Sequence, residues 1–215
     1  SCQFLGKLDA KLLMLYTFEN GINFPRRIRW CAVNNSTEWD PNIDFTAGVL
    51  DISEVEDAIT GWSVAYNNGY VYRGGGITVM TPTGVAGRPF FVENFSVGPA
   101  GVGVYTPGSL ASYGSTSIFR SKEDFYSFGG STPNPIGGNA KRAILADCDA
   151  ASSQVCSTMI GSLGPGLDFM SYWLAIPQNN DTTTSLWCYH IDSTTWINEQ
   201  LNYGPVKVMA NLITG

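Results

Sequence analysis

The feature that most constrains this chain is a short unit that recurs along it: two runs of aromatic and β-branched residues separated by a polar or Gly-rich turn. Tyr113 to Gly130 is the clearest copy. Ser117, Ile118 and Phe119 make one run, Ser121-Lys122-Glu123-Asp124 a polar turn, and Phe125, Tyr126 and Phe128 a second run that stops at Gly129-Gly130. Aromatic and β-branched side chains suit a pleated, half-buried surface, and polar residues and glycines suit its turns, so the unit reads as an antiparallel hairpin. Val64 to Thr81 repeats it around Asn67-Asn68-Gly69, Leu186 to Leu201 around Asp192 to Thr194, and Leu12 to Val33 across a longer loop. The copies start roughly 45 to 70 residues apart, too irregular for a strict repeat but compatible with propeller blades of about 40 to 50 residues joined by loops.

Between these hairpins the chain gives further strand and turn signals. Cys2 to Leu8 and Leu12 to Phe18 read as strands about a turn at Leu8 to Lys11, and Ile59 to Ala65, Gln154 to Ile160 and Phe169 to Ile176 as three more. From Thr81 to Gly108 the density of Gly and Pro predicts loop, with Phe90 to Phe95 its only strand. Ala140 to Asp147 is the one helical stretch, built from good helix formers and placed outside the sheets. Val206 to Ile213 reads as a strand without a hairpin partner, for which Phe4 to Leu8 is available. The expectation is therefore an all-β chain, a β-propeller of four or five small blades or part of a larger one, with residues 1–215 forming a single domain. The chain starts at Ser1 without Met while the apolar pattern is already under way at Phe4, as expected of a processed protein or a segment of a longer one, so blade counts are minimum counts.

Charged residues make up only 14% of the chain, so its surface is covered largely by Ser, Thr, Asn, Gly and backbone, which suits a turn-rich β protein better than a helical one. A net charge of -6 argues against direct nucleic-acid binding, whose first requirement is a basic footprint. Arg26-Arg27-Ile28-Arg29 is the one basic cluster, with Arg27 and Arg29 on one strand face and Arg26 on the other. It reads as a solvated edge strand blunted by charge, or as a contact for phosphate, carboxylate or an acidic partner surface. No apolar run of about 18 residues is present, so no membrane-spanning segment is expected. The five cysteines, Cys2, Cys31, Cys148, Cys156 and Cys188, are odd in number and lack metal-ligand spacing; they read as reduced, mostly buried small hydrophobes.

Catalytic chemistry is thinly represented. His190 is the only imidazole, and strand alternation sets it with Leu186 and Cys188 opposite Trp187, Tyr189 and Ile191. It reads as a half-buried residue bonded to its neighbours. Asp147, Asp149, Glu123 and Asp124 would have to be gathered for a glycosidase pair, and Glu38, Asp40 and Asp44 for a calcium loop that lacks the Gly and terminal Glu of an EF-hand. The glycines at 98, 101 and 103 have neither the Lys-Ser/Thr of a P-loop nor a helix pattern after them. No enzyme activity, cofactor or metal is expected. Trp30, Trp62, Trp173, Trp187 and Trp196 all fall in expected strands and read as architecture, Trp39 as the plug of a sheet edge, and Trp39 and Tyr203 also as exposed platforms for sugar.

Several segments carry a family likeness. Arg26 to Pro41 (RRIRWCAVNNSTEWDP), Ile77 to Gly84 (ITVMTPTG), the run from Phe119 through Phe125-Tyr126-Ser127-Phe128-Gly129-Gly130 to Pro135-Ile136-Gly137, and the strand pair Leu186 to Trp196 follow one another in an order that resembles β-propeller proteins of tailed bacteriophages. Some of these resemble the tail hub or packaged-DNA stabilisation component of short-tailed phages. Cys31 stands where that pattern usually has Ser, and Asn35-Ser36-Thr37 replaces its Asp-Pro. Phe128-Gly129-Gly130 and Tyr189 to Trp196 also resemble kelch elements, which in kelch lie in one blade but here are about 60 residues apart. The resemblance implies a non-enzymatic virion protein made in a bacterial cytoplasm, part of a tail or neck hub or DNA-retention complex. It would dock portal, tail or adaptor subunits in a symmetric multi-copy assembly. Its expected contacts are Arg26, Arg27 and Arg29, the acidic Glu54, Glu56 and Asp57, Arg88 in the Gly/Pro-rich loop, and Trp39 and Tyr203. The alternative is a glycan- or receptor-binding propeller of a phage tail using Trp39, Tyr203 and loop Asp residues.

Overall fold

The computed structural model describes residues 1–52, 56–93, 98–151, 155–160, 170–178 and 183–201. The expected hairpins at 64–81, 113–130 and 186–201 and the longer one at 12–33 each fall in a different sheet. Strands β1 (Cys2–Leu8), β2 (Lys11–Glu19), β3 (Ile22–Trp30) and β4 (Gly48–Asp51) form the first sheet, and β5 (Ile59–Ala65), β6 (Asn68–Arg73), β7 (Gly76–Val85) and β8 (Arg88–Val92) the second. The third holds β9 (Ala111–Tyr113), β10 (Thr116–Arg120), β11 (Phe125–Phe128) and the two-residue β12 (Asn134–Pro135). The fourth holds β13 (Cys156–Ile160), β14 (Ser171–Pro177), β15 (Thr184–His190) and β16 (Thr195–Leu201). Every sheet is an antiparallel meander whose strands lie side by side in chain order.

The chain divides into two compact units, Ser1–Tyr105 with Gly130–Thr132, and Thr106–Gly129 with Pro133–Gly215. In the first, β1 runs beside β5, and Leu8, Leu13, Leu15, Ile28 and Ile52 of one sheet share a core with Ile59, Val71, Met80 and Phe90 of the other. Each such side chain, fully buried, contributes roughly 1.5–3 kcal/mol. Trp62 of β5 closes the approach: its indole occupies the space a Cβ would need at Gly6 of β1 and at Gly69 of β6. In the second unit β9 runs beside β13, and Ile118, Phe125, Tyr172, Leu174 and Trp187 pack around Ile144 and Cys148. These last two are one helical turn apart on α1 (Lys141–Asp149), which starts one residue later and ends two residues later than the expected helix, and they make it part of the core wall.

Turn chemistry sets the hairpins. Asn20 (φ 50°) and Gly21 (φ 80°) give β2–β3 two left-handed residues in a row, the turn whose twist matches that of the flanking strands. Tyr66 (φ 50°) and Asn67 (φ 60°) do the same for β5–β6. That turn lies one residue earlier than the Asn67-Asn68-Gly69 of the sequence reading, because Asn68 and Gly69 already pair with Ala65 and Val64.

Two expectations are overturned. The Gly/Pro-rich stretch begins with a hairpin rather than loop: β7 runs through Pro82 to Val85 and returns as β8, which ends at Val92. Pro82 is tolerated because it faces Phe90 on β8 at a position that makes no ladder bond, while on its other side the β6 ladder has ended at Gly69 and Met80, so its missing N–H has no strand to bond. Secondly, β3 is no edge strand. Gly48–Asp51 pairs along it and covers its outer side. The expected pairing of Val206 to Ile213 with Phe4 to Leu8 lies outside the described residues.

Candidate docking surface of the first unit

Alternation along β3 sets Arg27 and Arg29 on one face, and both guanidinium groups reach Glu19 Oε2, at 3.5 and 3.3 Å. Arg27 also grips Asp51 of β4 with two parallel bonds, Nε to Oδ1 and Nη2 to Oδ2, both 2.8 Å, and its Cζ lies 3.6 Å from the Phe24 ring centroid. These bonds hold the Asp51 carboxyl below its usual range. Arg29 donates from Nη2 to the Trp39 carbonyl at 2.8 Å, while the Trp39 indole N–H bonds the Ser36 carbonyl at 3.0 Å. The carboxylates that the sequence left to an acidic partner are thus the protein's own, and Arg27, Arg29 and Trp39 fasten β3 to β4 and to the loop between them.

That loop leads to a groove. It measures about 610 Å³ and is lined by Trp30, by Pro41, Phe45 and Val49 of the loop and β4, and by Arg88, Phe90 and Val92 of β8. Trp30 and Phe90 meet edge to face, with centroids 5.5 Å apart, and form its floor. Of its lining, Phe45 and Val49 remain 69 and 46% exposed, and in the same segments Ile43 and Phe91 are 74 and 46% exposed. Arg88 is the one charged residue in the lining; its Cζ stands 5.7 Å from the Phe91 ring, and it has no ion-pair partner among the described residues. Sequence reasoning found Arg88 but missed Phe45, Val49, Phe90 and Phe91 as its company, since a groove between two sheets leaves no local periodicity.

No protein-family model matches the chain, and no curated protein does. The remaining candidates are therefore placed by geometry alone. Asp57 accepts the Gly75 N–H at 2.9 Å and steadies the β6–β7 turn, and Glu56 is exposed beside it. Arg26 lines a small cleft with Phe24 and Pro25. Glu54 and Tyr203 lie outside the described residues.

Of the residues weighed for catalysis, Glu123 is exposed in the β10–β11 turn and the others have structural partners. Asp124 accepts the Phe125 and Gly137 N–H groups and pairs with Lys141 Nζ at 3.2 Å. Asp147 accepts the Trp187 indole N–H at 2.9 Å, and Asp149 pairs with the buried Arg120. Glu38, Asp40 and Asp44 each turn back on their own loop, bonding the N–H groups of Asp40, Asn42 and Thr46. His190 is half-buried with Nε2 3.7 Å from Cys188 Sγ, on the face that alternation assigned to both. Burial pushes the Cys188 thiol up to about 11, the wrong direction for a nucleophile at neutral pH. Among the described residues no group of acidic, His and Cys side chains is gathered for a metal, no cysteine is in a disulfide, and no helix is long and apolar enough to cross a membrane.

Proposed function

We propose that this chain is a non-enzymatic docking module of a bacteriophage particle, built as a β-propeller whose blades are the four meanders. The propeller reading is supported by four four-stranded sheets that each follow chain order, with first strands β1 and β5 adjacent in one unit and β9 and β13 in the other. The phage assignment draws on the sequence resemblance. The observation that carries docking is the groove of the first unit, in whose lining Phe45 and Val49 stand exposed over the Trp30–Phe90 pair; exposed apolar surface of this kind marks interaction sites. A rigid frame with loops and edges at its rim suits contacts to portal, tail or adaptor subunits.

Mass spectrometry of gradient-purified particles of the encoding phage tests the assignment: the protein is expected at a fixed stoichiometry to the portal. Its absence from the particle overturns it. Light scattering with small-angle scattering on the purified protein tests the propeller, which predicts a compact disc or a ring of several copies and is refuted by an elongated, two-lobed monomer.

A further inference from the structure

The groove has a property that exposed apolar residues alone would not give it: beside Trp30 of β3, it is lined by β4 and β8, which are the last strands of their sheets. In an antiparallel ladder, successive residues bond alternately toward and away from the partner strand. The Glu93 N–H bonds the Val79 carbonyl at 2.9 Å, and the Val79–Glu93 pairing continues the β7–β8 register of Met80 with Val92 and Thr81 with Phe91. Glu93 and Phe91 thus bond inward to β7. Phe90 and Val92 fall between them, and their N–H and C=O groups point away from β7, where no described strand receives them. The same count on β4, from the Ile52 N–H on the Arg26 carbonyl at 3.0 Å, turns the Val49 N–H and C=O outward.

We infer that the groove receives an extended peptide segment of a partner protein, which adds as a fifth strand to the free edge of β8 and sets a carboxylate on Arg88. This rests on the docking reading above and names the chemistry of its partner. The four outward groups of Phe90 and Val92 are one full repeat of a β ladder and supply affinity without sequence preference. Side chains of the added strand that point inward meet Trp30, Phe45 and Phe90, so they are apolar at alternate positions. Arg88, without an ion-pair partner among the described residues and with apolar neighbours in the lining, selects Asp, Glu or a terminal carboxylate. The groove volume lies within the range of peptide and ligand sites.

The test is selection of a random heptapeptide library on the purified full-length protein, followed by a backbone N-methyl scan of the best peptide. The expected peptides alternate apolar residues and carry an acid. N-methylation should cut affinity at least tenfold at every second position and little between, because only alternate N–H groups face β8. Arg88→Glu, an exposed change, should cost a similar factor and shift selection toward Lys or Arg. An N-methyl profile without a period of two, unchanged binding by Arg88→Glu, or no saturable peptide at all would each overturn the inference. Peptide binding by a protein absent from particles would leave the groove assigned and remove the phage role; a protein present in particles whose groove takes no peptide would do the reverse.

Discussion

The indole of Trp62 lies where Gly6 would carry a side chain. Trp62 is on β5 and Gly6 on β1, so this contact sets how closely the first two sheets approach, and Gly69 on β6 gives way to the same ring. Neither glycine has a left-handed backbone; they are there for space.

Gly6→Ala and Gly69→Ala should each cost ~1–3 kcal/mol, since the added methyl would overlap a rigid aromatic ring rather than a flexible side-chain end. Gly74→Ala, with open space around it, should change stability by less than about 0.5 kcal/mol. Urea unfolding of the three variants measures this, and equal midpoints would show that Trp62 is free to move aside.

Trp196→Ala should cost ~3–5 kcal/mol. Its ring sits 5.2, 6.1 and 5.0 Å from Phe125, Tyr172 and Tyr189, and its N–H bonds the Ile136 carbonyl at 2.8 Å. The loss should appear in the unfolding midpoint of the second unit; a shift within error would place the ring outside the core.

The Arg27–Asp51 pair predicts an acid dependence. The folded Asp51 carboxyl is held below its unfolded value of about 3.9, so the stability it lends is fully present above that pH and is lost as pH falls through the lower, folded value. Asp51 is half exposed, so Asp51→Asn should cost under about 1 kcal/mol at pH 7 and flatten the stability curve below pH 4. An unchanged slope there would show that the pair contributes nothing.

Cys148 and Cys188 should resist an aromatic disulfide reagent at pH 8 in the native protein and react after denaturation. Burial raises their thiols to about 12 and about 11, which removes the reactive thiolate. Mass mapping of labelled cysteines reads this directly; rapid labelling of either in the native state would mean its unit opens.

Much of the fold was legible because it is local. Leu12 to Val33, Val64 to Thr81, Tyr113 to Gly130 and Leu186 to Leu201 each carry their own turn and their own alternation, and each seeded one sheet. Five tryptophans read as strand residues are in strands β3, β5, β14, β15 and β16. What failed depended on neighbours. Pro82 looked like a loop residue because only the end of β6, thirteen positions back at Gly69, makes a proline harmless there. Arg26 to Arg29 looked like an edge because β4 is four residues long and opens with Gly48, which Trp30 covers. The groove was invisible for the same reason: Trp30 and Phe90 are sixty residues apart and meet only through the packing of two sheets.

The chain-order pairing of the strands also bears on how this protein is made. Within a sheet the widest gap any ladder must bridge in the first unit is that from Trp30 to Gly48, so loop closure costs little more than for a hairpin. No strand of a sheet waits for a partner from a later one. A nascent polypeptide leaving the ribosome can therefore finish each meander before the next is synthesised, and the search for strand pairings breaks into four short searches.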